Sequence, residues 1–256
     1  MPRAEWRSQA AYDDLRSLDA PGFAWQFLNE TSPSSATGRG WRERANTGPL
    51  PLSSSITSPS AGGCDFRAGE TSEVLQPLWT AASLPSVIPI SPLPLGVAGS
   101  DRKRNAVSLD PALAEDGPAR LIRRRGALFR LHILEEPGKE TPCVLLPLDQ
   151  LFEVRAMAAI RLWSGLTGRS PGRNPAELPA ARRERLILAL RALDGRLEKA
   201  SYRDIAETLF GSSRMPDGGW KTHDIRDRTV RLARLGISLM QGGYRHLLLY
   251  PYRGRT

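Results

Sequence analysis

Hydrophobic positions recur at helical spacing through the last third of the chain. In SYRDIAETLFG, Tyr202, Ile205, Ala206, Leu209 and Phe210 fall at i, i+3, i+4, i+7 and i+8 and form one apolar stripe. Ser201 with Asp204 has the pattern of a capping box, and Gly211 fits the position just past the helix end. A second amphipathic run, HDIRDRTVRLARLGISLMQ, follows Thr222 as its expected cap and ends at Gly242 and Gly243. Its apolar set is Ile225, Val230, Leu232, Ala233, Leu235, Ile237, Leu239 and Met240, and its polar arc holds Arg226, Arg228, Arg231, Arg234, Ser238 and Gln241. Two further helices precede these. One follows Asp149, with Leu151, Val154, Ala158, Leu162 and Trp163 as its core positions, and one is AARRERLILALRALDGRL, with Leu186, Leu190 and Leu193 facing inward.

The middle of the chain changes period. The runs ARLIRRRGALFRLHIL and CVLLPL, separated by EEPGKETP, predict strand, turn and strand. Leu121, Ile122, Leu128, Phe129, Leu131, Ile133 and Leu134 supply the apolar face, and Arg123, Arg124, Arg125 and Gly126 mark a hairpin tip. Upstream, Val87, Ile88 and Ile90 predict an extended strand laid on this region. In the first thirty residues, Trp6, Tyr12, Leu15 and Leu18, then Phe23, Trp25, Phe27 and Leu28 after Pro21-Gly22, predict two short helices. Such helices must dock on the rest of the chain, on another copy or on a partner. From Thr31 to Gly63 the composition turns to Ser, Pro, Gly and Thr and predicts a flexible linker.

The expected fold is therefore mainly α with a small β-hairpin or sheet subdomain and a C-terminal helix-turn-helix-like DNA-binding domain. The expected divisions are an N-terminal helical segment at 1–30, a partly disordered linker at 31–100, a hairpin-plus-helix subdomain at 101–168 and a helical domain at 169–256. The segment SSRMPDGGWKT between the last two amphipathic helices exceeds the three or four residues of a tight helix-turn-helix turn, so the motif is a variant with an extended connection.

Charge sharpens this picture. The 36 Lys and Arg against 27 Asp and Glu give a net charge of +9, which favours polyanionic partners. From Ser170 onward there are 17 basic and 9 acidic residues, or +8 of that +9, so the excess belongs to the last third. Arginine's planar fork suits bidentate contacts to phosphate or guanine, although a GC-rich coding sequence produces the same bias. Cys64 and Cys143 lack metal-ligand or disulfide-framework spacing and fit a reducing cytoplasm. His132, His223 and His246 are scattered, and no phosphate-cradling glycine loop occurs, so neither an enzyme nor a cofactor or metal site is expected. Prolines interrupt the one uncharged stretch, Val74 to Ser100, and no membrane span is expected.

These features nominate Arg226, Arg228, Arg231 and Arg234 for recognition of double-stranded DNA, and Lys221, Arg182, Arg183, Arg203, Tyr244 and Arg245 for phosphate contacts. The competing reading of the arginine face is a solvated surface in which Asp224 and Asp227 pair with Arg228 and Arg231. The competing function is a protein-binding adaptor or anti-activator that uses Trp6, Phe23, Trp25 and Phe27.

WRSQAAYDDLRSLDAPGFAWQFLNE, LLPLDQLFEVR, RLILALRALDGRLEKASYRDIAETLFG and WKTHDIRDRTVRLARLGISLMQGGYRHLL together resemble the RovC-type transcription activators of type VI secretion. They are also similar to activators that promote excision and transfer of integrative conjugative elements. The resemblance covers about two thirds of the chain and departs from it at Thr31 to Gly63. It implies a small N-terminal regulator-like domain, a C-terminal helical DNA-binding domain, promoter DNA as ligand and oligomeric assembly; a homo-oligomer that contacts the transcription machinery is the expected form.

Overall fold

The computed structural model describes residues 6–30, 77–94, 107–110, 112, 114–136, 141–215 and 219–252. The greater part of the predicted Ser/Pro-rich linker lies outside these. The chain divides into two compact units, one formed by Met1–Ile56 with Ala176–Leu247 and the other by Thr57–Pro175 with Leu248–Thr256. The architecture is mainly helical with one small sheet.

The second unit is built on that sheet. Its strands are β1 (Ile88–Pro92), β2 (Ala114–Asp116), β3 (Ala119–Arg124), β4 (Ala127–Ile133) and β5 (Pro142–Val144), in the order β2-β3-β4-β1-β5. The β3–β4 hairpin turns at Arg125 and Gly126, both with positive φ (48° and 78°), where the sequence places the basic tip. Of CVLLPL only Cys143 and Val144 lie in a strand, as the end of β5; β5 pairs antiparallel with β1, and β1 runs parallel to β4 between them. A short hydrophobic run carries no signal for its neighbour, so this insertion is invisible to periodicity alone.

Helix α2 (Phe152–Leu166) covers the sheet. Ala158 and Leu162 join Ile88, Ile90, Ile122, Phe129, Leu131 and Ile133 in one core. Trp163, expected inside, is half exposed, and so is Leu134. At about 100° per residue, Trp163 lies some 140° around α2 from Ala158, so the stripe that packs on the sheet cannot include it.

The first unit is helical. A 3-10 helix (Ala10–Ser17) and α1 (Ala20–Asn29) lead to α3 (Ala180–Leu197), α4 (Tyr202–Phe210) and α5 (Asp224–Ser238), with α6 (Arg245–Leu248) after a π-helical turn at Leu239–Gly243. Pro21 does not break α1 but sits in its first turn, where no intrahelical donor is needed, and Asp19 caps that turn by accepting from the Gly22 amide at 2.9 Å.

α3 is the central helix, buried almost continuously from Leu186 to Gly195. Leu186, Leu190 and Leu193 face inward as their spacing predicts. Two glycines set its crossings. A Cβ at Gly236 of α5 would meet the Ala189 carbonyl oxygen at 2.5 Å, and one at Gly195 would meet Ile205 of α4 at 2.9 Å. The capping box at the start of α4 is formed in both directions, Asp204 N to Ser201 Oγ and Ser201 N to Asp204 Oδ2, each 3.1 Å.

The N-terminal residues dock on α3. Trp6 donates to Glu198 at 2.7 Å, Arg191 donates to the Trp6 carbonyl oxygen at 3.1 Å, and Arg16 pairs with Glu184 at 3.0 Å. The Tyr12 hydroxyl donates to the buried Asp194 carboxylate. Burial first, and then the Asp194 charge, push the Tyr12 phenol well above the ordinary tyrosine range. A raised folded value makes this contribution complete below the ordinary phenol pKa, to be lost only as pH climbs through the folded value. An alkaline titration followed by phenolate absorbance should therefore contain a component that ionises only when the chain unfolds, and Tyr12→Phe should remove that component. Ionisation of every tyrosine in the folded chain would contradict the burial of Tyr12.

Candidate nucleic-acid interface

α5 begins one residue later than the Thr222 cap expected for it. The Thr222 hydroxyl donates instead to the Gly219 carbonyl oxygen at 3.1 Å. His223 is the cap, its Nδ1 accepting from the Ile225 amide at 3.2 Å. The face buried against the rest of the unit is Thr229, Leu232, Ala233 and Gly236. This matches an amphipathic helix with its polar side outward.

The four arginines of α5 do not act as one row. At about 100° per residue, Arg226 and Arg228 lie some 160° apart, on opposite flanks. Arg226 pairs with the adjacent Asp227 at 3.2 Å, and the Arg228 guanidinium stacks over Phe210 of α4 at 4.6 Å. Arg231 and Arg234 are exposed, about 60° apart, and have no carboxylate partner among the described residues. The i,i+4 pairs of the solvated-surface reading do not form: Asp224 contacts His223 at 2.9 Å, and Asp227 turns to Arg226.

The remaining nominated residues scatter. Arg203 is exposed on α4 and pairs with Glu207 at 3.2 Å. Lys221 lies on the 3-10 turn Trp220–Thr222, and its side chain is outside what is described. Arg182 is half-buried in the first turn of α3. Arg183 donates to the Leu178 carbonyl oxygen at 3.1 Å and so stabilises the entry to α3. That contact explains an arginine at a helix start without an anion. Arg245 is exposed and stacks on the Tyr244 ring at 5.4 Å. Tyr244 itself is 3% exposed, which corrects its nomination: the phenol ring belongs to the core of the turn after α5.

Arg185 starts α3 with Arg182 and Arg183 in the sequence but is not among the residues nominated for DNA contact. It stands between Glu184 and Leu186 in a run of four charges, with nothing in its spacing to distinguish it from Arg182 or Arg183. In the folded unit it is exposed and lines a cleft between α3 and α5 together with Arg228 and Arg231.

Residues 145–249 match the family model described as "T6SS, Transcription factor, DNA binding domain", that of RovC. The chain carries a RovC-type DNA-binding domain. Residues 5–31 match the "Proteobacterial transcriptional regulator-like domain". The RovC-type match takes in α2 of one unit and α3 to α6, and the regulator-like match covers the N-terminal residues that dock on α3. No curated protein and no solved structure matches the chain significantly. Among the described residues no helix is long and apolar enough to cross a membrane, and no group of His, Cys, Asp or Glu is arranged to hold a metal ion.

Proposed function

We propose that this RovC-type protein is a sequence-specific transcription activator that assembles as a homo-oligomer on promoter DNA and engages the transcription machinery there. The observation that carries the DNA reading is the exposed, carboxylate-free pair Arg231 and Arg234 on α5, inside the segment that matches the DNA-binding family. Arginines free of intramolecular partners keep their donors for guanine N7 and O6 or for phosphate oxygens. Of the aromatics that the adaptor reading would use, Trp6, Phe23 and Phe27 are buried inside the helical unit and Trp25 is half-buried, which favours the DNA reading.

The test begins with selection of bound fragments from genomic DNA by the purified protein. Arg234→Ala should weaken binding to a selected fragment about tenfold and flatten the base preference at one position. Equal binding of selected and random DNA by the wild type would sink sequence specificity. An unaltered Arg234→Ala profile would remove α5 as the reading element.

A further inference from the structure

The cleft between α3 and α5 has a volume of about 460 Å3. Arg185 and Leu188 from α3 and Arg228, Arg231 and Leu232 from α5 line it. Its one carboxylate, Glu184, is paired at 3.0 Å with Arg16 of the N-terminal 3-10 helix, which also holds Asp13 at 3.3 Å. Arg185 and Arg231 have no partner among the described residues. Three arginines therefore line a space whose single carboxylate already has a cationic partner. Arginine's planar fork suits such a cluster to a phosphate oxygen pair.

We infer that this cleft is a phosphate-ester site in which Arg185, Arg228 and Arg231 grip one phosphate group, and that Arg16 keeps it receptive by neutralising Glu184. The inference rests on the DNA-binding reading for its favoured occupant, a backbone phosphodiester beside α5. It also divides the arginine face: Arg228 and Arg231 hold the backbone on the α3 side, and Arg234 is left to read bases. The regulator-like segment then acts on DNA affinity through one charge, without touching DNA.

The experiment measures dissociation constants of the full chain for a selected fragment and for random DNA over a series of salt concentrations. Arg185→Ala should weaken both by the same factor, about tenfold, and reduce the slope of log K against log salt by about 1. Arg16→Ala should weaken both severalfold, and Glu184→Gln in that background should restore them, which loss of a merely structural ion pair would not do. Melting curves of all variants should overlay the wild type, since these side chains are exposed or half-buried. Unchanged affinity and slope in Arg185→Ala, or weakening confined to the selected fragment, overturns the inference, as does failure of Glu184→Gln to rescue. Inorganic pyrophosphate and AMP supply the second arm. If the wild type binds no DNA but binds either of these in an Arg185-dependent way, the site stands with a free phosphate ester as its occupant and the DNA reading falls. If it binds neither DNA nor these anions, both fall.

Discussion

Gly236→Ala is expected to destabilise the helical unit by about 3 kcal/mol, the upper part of the range for forcing an atom into a packed interior. The added methyl would lie 2.5 Å from the Ala189 carbonyl oxygen and 2.9 Å from Leu193 Cβ. Neither is the tip of a side chain that can swing aside. One is backbone, and the other sits at the root of a fully buried residue. α5 must therefore lift from α3, opening gaps around Leu232 and Ala233, which are packed at the same crossing. For a unit of this size the midpoint of thermal unfolding should drop on the order of 15 °C. The same displacement moves Arg228 and Arg231 away from Arg185, so salt-dependent DNA binding below the melting temperature should weaken too. Circular dichroism melts and binding curves on the same preparation check both. A melt within a couple of degrees of the wild type would mean that the α3–α5 crossing is looser than this geometry.

How much of this was legible beforehand differs by element. The capping box of Ser201 and Asp204, the apolar stripe of α4, the inward leucines of α3 and the hairpin tip at Arg125-Gly126 were readable because each is a local matter of spacing, capping or turn chemistry. The insertion of β1 between β4 and β5 was not, because strand neighbours are chosen by three-dimensional packing. The burial of Tyr244 was hidden for a related reason. Gly242, with φ of 112°, bends the chain after α5, and a linear pattern does not say on which side the next ring will fall. At the candidate interface the arginines of α5 were evident, but their division was not. Arg226, Arg228, Arg231 and Arg234 look alike in sequence. They differ only once Asp227, Phe210 and the cleft beside Arg185 are in place. Arg183 shows the converse: its charge suggested an anion, and the fold supplies the Leu178 carbonyl oxygen instead.

Trp6→Ala should have the largest effect of any single side-chain truncation in the N-terminal segment, about 3–5 kcal/mol. The indole is fully buried, and Gly195 is the position that makes room for it: a Cβ there would stand 3.3 Å from the ring. Removing it opens a void between the segment and α3 and deletes the N–H donor to Glu198, leaving that carboxylate with Arg7 at 3.5 Å. The Arg7 guanidinium, which covers the ring at 4.4 Å, loses its stacking surface as well. The contact between Arg191 and the Trp6 carbonyl oxygen survives on paper because it uses backbone. Its partner, however, is held in place only by the packing that has been removed. Trp6→Phe should recover most of the loss, since it refills the void and lacks only the donor. Chemical denaturation of the three proteins, read by helical circular dichroism, orders them as wild type, Trp6→Phe and Trp6→Ala. If Trp6→Ala unfolds with the wild type, the segment contributes nothing to the fold of α3 to α5. If the predicted order holds, the regulator-like residues form part of the same cooperative unit as the candidate DNA-binding helices. Any signal received by that segment then reaches α5 through α3, by way of Trp6 and Tyr12, which hold the two together.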